Sequence, residues 1–418
     1  MVEDIVRQDA AKGAVADPAG IKGHRRGTHR TMAPAQTLAQ TRPHMAAMGI
    51  TRIANVTGLD RIGIPVVMVM RPNARSIAVS QGKGLDLDAA KASGLMEAVE
   101  AFHAERISLP LKLAGAEELS ADHPLVDVDR LPKVVGGRFT PSLPLLWIEG
   151  RELMADRPVW LPYEMVHANY TLPPPTGAGC FPATTNGLAS GNHLFEAICH
   201  GLAEVIERDA TALWTRRDLH DQRRGRLGLD TVDDPDCRAV LERIGAADLR
   251  PAVWETTTDV GVPAFFCALA DDRPGSHLGV GAGCHPARAI ALVRALTEAV
   301  QVRTTYITGA RDDLLPAQYS QAGRDERSRQ AARLMAAAGG ERAFGDGPDQ
   351  ANDTFEGDLD WMLDRLRTRG IDQVVAVDLT RPEFDLPVVR VVVPGLEAPD
   401  EEDFEPGPRA RAVMAGRS

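Results

Sequence analysis

The stretch Asn186-Gly187-Leu188-Ala189-Ser190-Gly191-Asn192, running into residues 193–210, decides how this chain is read. Its glycines and asparagines suit a turn, and the apolar periodicity that follows predicts a long helix. On that helix Asn192, Glu196, His200, Glu204 and Glu207 recur at spacings of 4, 4, 4 and 3. At roughly 100° per residue they share one stripe. Leu194, Ile198, Leu202, Val205 and Ile206 share the opposite one. A solvent-facing helix balances its carboxylates with Lys or Arg three or four positions away. This stripe holds no cation, and only Arg208 lies at its margin. Three carboxylates in line repel one another. Either water solvates the face, or something outside the helix neutralises it, for which hard Mg2+ with its preference for oxygen ligands is suited.

Two other segments repeat the pattern of strand, glycine-rich end and helix with a polar stripe. Residues 75–79 read as a strand ending in Ser80-Gln81-Gly82-Lys83-Gly84, ahead of a helix over residues 88–107. There Ser93, Glu97 and Glu100 fall at i, i+4 and i+7, while Ala92, Leu95, Met96, Val99 and Phe102 form the apolar face. Small residues cover the flank between them, so the helix is expected to be buried, and buried glutamates need cations. Residues 277–283 form a third glycine-rich strand end, followed by a helix over residues 287–305 with Arg294, Glu298 and Gln301 on one face. Neither glycine-rich turn is a known phosphate fingerprint. Walker A needs a glycine where Ile77 stands, and the dinucleotide motif needs one where Cys284 stands. What remains at the first turn is a set of backbone N–H groups and the Lys83 ammonium, which suit an anion. Three such units in one chain favour a shared polar site over three solvated faces.

The frame around these units is ordinary. The chain has 418 residues, 44% hydrophobic and 25% charged, which suits a soluble globular protein. Net charge is −11, from 47 Lys and Arg against 58 Asp and Glu, which argues against nucleic-acid binding as the main business. Cysteines at 180, 199, 237, 267 and 284 form no CxxC pair, which makes structural zinc unlikely and fits a reducing cytoplasm. Residues 1–20 mix charges without an apolar segment, unlike a secretory signal, and no apolar run reaches the ~20 residues of a membrane span. Residues 1–45 are polar, with a basic patch from Lys22 to Arg30. We read them as a mobile arm, the alternative being an arm that docks on an acidic partner. Residues 46–418 form the folded domain. Within it, residues 50–56 and 64–70 read as paired strands and residues 110–175 as short strands with long connections. Residues 233–244, 327–338 and 358–369 read as helices. Residues 251–255, 263–270, 373–379 and 388–393 read as strands.

The stripes together supply glutamates 97, 100, 196, 204, 207 and 298, the cations Lys83, Arg208 and Arg294, and the neutral groups Ser93, Asn192, His200 and Gln301. Mg2+ alone does not call for arginines, and phosphate alone does not call for so many carboxylates. The mixture points to a nucleoside triphosphate held through metal ions. A di-iron bundle needs Glu-x-x-His, whereas Glu196 and His200 are one residue too far apart. A serine-hydrolase elbow Gly-x-Ser-x-Gly is missing.

At this point the residues resemble the YcaO family. The resemblance is carried by Ser80 to Gly84, Ser93-x-x-x-Glu97-x-x-Glu100, Gly187 to Asn192 with Glu196, Glu204-Val205-Ile206-Glu207-Arg208-Asp209, and Arg294-x-x-x-Glu298. Gly49-Ile50-Thr51-Arg52, Thr57 to Pro65 and Val393-Pro394-Gly395-Leu396-Glu397 resemble its TfuA-associated branch. The resemblance runs from about residue 45 to the C-terminus. It implies an α/β ATP-binding fold of mixed sheets and long helices whose glutamates face inward. It implies ATP and Mg2+ as cofactors, and ATP-dependent activation of a peptide-backbone amide in a ribosomally made peptide or protein. A neighbouring Cys, Ser or Thr side chain then gives an azoline, and external sulfur gives a thioamide. Carried over position by position, Glu97, Glu100, Glu204, Glu207 and Glu298 are the expected metal ligands. Lys83, Ser93, Arg208 and Arg294 are the expected nucleotide contacts, with Asn192, Glu196, His200 and Gln301 beside them. Ring-forming members often end in a proline-rich tail, and this chain ends in residues 409–418 without one. That departure and the TfuA-like features point to thioamide formation, with a TfuA-like partner delivering sulfur or substrate and a homodimer as a possible assembly. The contrasting expectation is a non-catalytic accessory that binds nucleotide and assists another modification enzyme.

Overall fold

Apolar residues at period 2 build the centre of the molecule, described here from a computed structural model that covers residues 20–271, 273, 277–336 and 342–416. Among the described residues three antiparallel sheets carry twelve strands. The first joins β1 (Arg52–Asn55), β2 (Val66–Met70) and β3 (Val79–Lys83). A six-stranded sheet contains β4 (Leu111–Ala114), β5 (Leu145–Glu152), β6 (Arg157–Pro162), β7 (Leu188–Ser190), β11 (Val375–Asp378) and β12 (Val388–Val392). Its order is β4-β5-β11-β12-β7, with β6 also paired to β5. The third sheet is β10-β9-β8, made of β8 (Arg250–Glu255), β9 (Ala264–Ala270) and β10 (Gly279–Cys284).

Helices of eight or more residues are α1 (Pro34–Thr41), α2 (Leu87–Glu105), α3 (Leu194–Thr215), α4 (Pro235–Ala246), α5 (Arg288–Thr308), α6 (Gln321–Met335) and α7 (Phe355–Arg367). The caps explain their limits. The Asp86 side chain accepts the N–H of Ala89 at the start of α2, Thr354 accepts that of Gly357 at α7, and left-handed Gly309 ends α5. Alternate residues of the six-stranded sheet face two cores. Val375, Val377, Val388 and Val392 join Leu95, Val99 and Phe102 of α2. Ala376, Val389 and Val391 join Ile198, Leu202 and Val205 of α3, with Leu359 and Met362 of α7. A third core puts α4 and α5 against β9 and β2.

The three strand–helix units differ from the sequence reading in one respect. Residues 80–83 and 188–190 are strand rather than turn, and residues 75–78 are not. The glycines are there because a helix lies directly on them. A Cβ on Gly82 would stand 2.0 Å from the carbonyl of Ala90, and one on Gly281 would stand 2.3 Å from the amide of Ala299. Only glycine lets α2 and α5 approach their strands so closely. The lysine turn is correspondingly no open anion nest, since the N–H of Gly84 donates to Pro65 and that of Lys83 reaches Ser93 Oγ.

The mobile arm is also corrected, for the residues described. Residues 20–41 pack on the body. Lys22 is buried, bonded to the Asn352 carbonyl and paired with Asp358 of α7 at 2.5 Å. Arg25 pairs with Asp353, and Arg26 lies beside Asp86 and Asp236. The acidic partner of the basic patch is this chain itself. Residues 1–19 lie outside the described residues.

Candidate functional site

A cavity opens where this N-terminal segment crosses α2, α3 and α5. Of the residues singled out in the sequence, Lys83, Ser93, Glu100, Asn192, Glu196, His200 and Arg294 line it. The segment adds Arg26, Thr28, Arg30 and Thr37 to the wall.

Beyond Glu100 and Arg294 lies a cluster of carboxylates from three helices: Glu97 and Glu100 of α2, Glu204 and Glu207 of α3, and Glu298 of α5. Each strand of the repeated units offers a backbone N–H to one of them. Gln81 of β3 donates to Glu97 Oε1 at 3.2 Å, Ser190 of β7 to Glu100 Oε1 at 2.8 Å, and Cys284 of β10 to Glu207 Oε2 at 3.0 Å. The Ser190 hydroxyl also donates to Glu100 Oε1, at 2.7 Å. The repeat therefore places one oxygen of each of three glutamates by main-chain geometry.

The electrostatics are those of an incomplete charge set. Burial raises the Glu100 carboxyl to about 8, and Glu97 and Glu204 push it the same way against the Ser190 hydrogen bonds. Burial and then Glu298 raise Glu207 to about 7, although Arg208 and Arg294 pull it down. Glu97 and Glu204 are raised as well, chiefly by burial. Glu97 keeps an open surface yet is surrounded by protein, as a group lining a concavity does. Burial alone would lower Arg208, but Glu207, Glu204 and Glu298 hold it above its ordinary value. Among the described residues, Glu298 finds a cation in Lys83 Nζ at 3.6 Å, whereas Glu97, Glu100, Glu204 and Glu207 are in no ion-pair contact. Four crowded carboxylates without paired cations form an oxygen-only donor set that suits Mg2+.

On the cavity side, Arg294 Nη1 lies 3.2 Å from His200 Nε2. Burial, then Arg294, Arg30 and Lys83, lower the His200 pKa well below its usual value, so its imidazole is neutral and accepts from the guanidinium. Arg294 Nε is buried and has no protein partner.

Three expected residues fall elsewhere or are already engaged. Gln301 does not line the cavity. Its amide donates to Gln81 Oε1, which also accepts from Thr305, so it ties α5 to β3. Arg208 lies with the carboxylates rather than in the cavity wall. Glu196 is in the wall, but it is saturated: Oε2 accepts from the N–H and hydroxyl of Thr31, both at 2.9 Å, and Oε1 from Asn192 Nδ2, with Arg30 Nε 3.5 Å away. It anchors the N-terminal segment, and Thr37 does the same through Asn192 Oδ1 at 2.9 Å. The sequence reading missed Arg30, Thr31 and Thr37. The signal was the basic patch itself, whose charges needed partners. Among the described residues the trio whose possible ligand atoms all lie within 4.8 Å of one another is instead His29, His285 and Asp358. There Asp358 already holds Lys22, so that carboxylate has its cation.

The profile of YcaO cyclodehydratase, described as ATP- and Mg2+-binding, matches residues 81–397. The chain belongs to the YcaO family. It is 36% identical over 380 residues to an uncharacterised protein in the tfuA 3′ region of Rhizobium leguminosarum bv. trifolii, covering 88% of each. Its fold is similar to that of YcaO from Methanopyrus kandleri bound with AMPPCP and Mg2+. The TM-score is 0.71 at 24% identity, over 90% of this chain and 94% of that one. It is also similar to a heterocyclase in complex with substrate and cofactor, with a TM-score of 0.72 and 25% identity over 91% of this chain. The chain spans 54% of that heterocyclase's length. The five clustered glutamates, 97 to 298, lie inside the YcaO match, and the N-terminal segment that walls the cavity precedes it. Among the described residues no helix is long and apolar enough to cross a membrane, and the five cysteines are free.

Proposed function

We propose that this YcaO protein activates a peptide-backbone amide with ATP and replaces the amide oxygen by sulfur, giving a thioamide in a ribosomally made peptide or protein. In this reading Glu97, Glu100, Glu204, Glu207 and Glu298 hold Mg2+, while Lys83, Ser93, Arg208 and Arg294 face phosphate oxygens. Asn192 and His200 set the wall of the nucleotide cavity, and Glu196 keeps Arg30 and Thr31 in place beside it. Mg2+ bound there neutralises phosphate charge and polarises phosphorus. The amide oxygen forms a bond to a phosphorus of ATP as the bridging P–O bond breaks. A sulfur nucleophile of the hydrosulfide class adds at the amide carbon, and phosphate leaves with the former amide oxygen. An amide oxygen is a poor leaving group and its phosphate is a good one, which is the reason for spending ATP.

The observation that carries the reading is the convergence of glutamates from three helices, three of them fixed by strand N–H groups and four without an ion-pair partner among the described residues. The sulfur branch is favoured by the likeness to a protein of the tfuA 3′ region, which also suggests a TfuA-like partner. The second reading, azoline formation, is favoured by the likeness to a heterocyclase. Mass spectrometry of a short peptide encoded beside this gene, co-expressed with the chain and any TfuA-like neighbour, separates them. Sulfur in place of oxygen supports the first reading, and loss of one water supports the second. An unmodified peptide, with ATP bound, supports an accessory role and overturns both.

A further inference from the structure

Arg390 is a buried cation outside the wall of the cavity between α2, α3 and α5. It sits in β12, is 1% exposed, and donates from Nε to the Met165 carbonyl at 2.8 Å and from Nη2 to the Thr184 carbonyl. Its Nη1 has no protein partner. Burial lowers its pKa to about 10, and the groups that act against this are Tyr170 and Glu204, neither of them in ion-pair contact with it. Leaving a buried guanidinium without a counter-charge is costly and calls for an explanation.

Arg390 lines a separate small cavity of about 30 Å3, with Pro132, Pro182, Asn186, Val205 and Leu396 among its walls. Asn186 also has a buried side-chain atom, Oδ1, without a partner. The one carboxylate in the wall, Glu397, is spent on the N–H groups of Gly407 at 2.7 Å and Ala410 at 2.9 Å. A water or a peptide amide in this space would satisfy the hydrogen bond of Nη1 and leave the charge uncompensated. An anion does both. The oxygen and nitrogen of the Asn186 amide can exchange places by rotation, turning its NH2 toward the same point. Apart from Thr184 the remaining side chains are apolar and the space is small, which favours a small, weakly hydrated ion over phosphate.

We propose that this cavity binds a small monoanion, of the halide or hydrosulfide class, on Arg390 Nη1 and the Asn186 side chain. The site stands on its own geometry and does not rest on the nucleotide reading.

The test uses the full chain without ATP or peptide. Crystals soaked in sodium bromide should show an anomalous peak within hydrogen-bond distance of Arg390 Nη1; water alone at that point overturns the site. In solution, bromide should raise Tm by about 2 °C over sodium gluconate at equal ionic strength. Arg390→Gln should lose this response. Because that variant can fail to fold, Asn186→Asp is the second arm: its fixed carboxylate supplies the missing charge, so Tm without halide should rise and the bromide response vanish. A bromide response unchanged in Asn186→Asp overturns the proposal. Displacement of bromide by sodium hydrosulfide at equal concentration identifies a reactant in the cavity, and retention of bromide identifies a resident counter-ion on the same two groups.

Discussion

Ser190 gives both its backbone N–H and its hydroxyl to a single oxygen of Glu100, at 2.8 and 2.7 Å, and thereby fixes a carboxylate of α2 from the edge strand β7. Among the described residues the other oxygen, Oε2, receives no protein hydrogen bond, which leaves it free for a metal. Ser190→Ala keeps the backbone bond and removes the hydroxyl. Groups that orient a metal ligand typically matter by about 10- to 100-fold in affinity. We expect Mg2+ affinity in that variant to fall about tenfold, read by Mg2+ titration of ATP turnover. Glu100→Gln should abolish turnover while leaving far-UV circular dichroism unchanged.

The raised carboxyls make stability and metal binding depend on pH in opposite senses. Glu100 at about 8 and Glu207 at about 7 lie above their ordinary 4.5, so the folded protein holds more protons than the unfolded chain between pH 4.5 and 8. Stability without metal therefore falls as pH rises through that window. Mg2+ needs the ionised forms, so its affinity should rise over the same range and its binding should release protons. Calorimetry in buffers of different ionisation enthalpy measures the release. A proton count of zero at pH 7 would speak against metal binding at these groups.

Glu196 joins the N-terminal segment to α3, and its loss should be felt at the nucleotide cavity rather than in the carboxylate cluster. Glu196→Ala removes the acceptor of two Thr31 bonds and the partner of Arg30. A hydrogen bond to a charged group is worth about 1.5–3 kcal/mol, or roughly tenfold and more. We expect KM for ATP to rise at least about tenfold with Mg2+ dependence little changed. Hydrogen exchange over residues 20–31 should increase in the same variant.

Gly82 has no room for a methyl group, because the contacts it would meet are backbone atoms of α2, the Ala90 carbonyl at 2.0 Å and the Gly94 amide at 2.2 Å. Gly82→Ala should cost at least about 3 kcal/mol, the upper range of overpacking. Gly94→Ala, whose nearest contacts are at 3.0–3.1 Å, should cost less. Chemical denaturation of the two variants gives the comparison.

These relationships mark what the sequence made legible. The 4-4-4-3 stripe of α3 and the Glu-x-x-Glu step of α2 located the carboxylates, because helical periodicity alone places those side chains on one face. The same logic misjudged Gln301 and the role of Glu196. Periodicity tells which way a side chain points and not which partner reaches it first. For Gln301 the partner is Gln81, and for Glu196 it is Thr31, 165 positions earlier. Glycines 82 and 281 read as turns because composition cannot distinguish a turn from a strand pressed against a helix. The basic patch around Arg30 read as a loose arm because its partners, Asp358, Asp353 and Glu196, lie far along the chain.

The central claim is that carboxylates from three helices hold divalent ions beneath one triphosphate. A crystal structure of the full chain with a non-hydrolysable ATP analogue and Mn2+ tests it most directly. We expect anomalous manganese peaks ligated by oxygens of Glu97, Glu100, Glu204, Glu207 and Glu298, with the phosphates facing Lys83 and Arg294. Nucleotide or manganese bound elsewhere, with these five glutamates touching only water, would contradict the account.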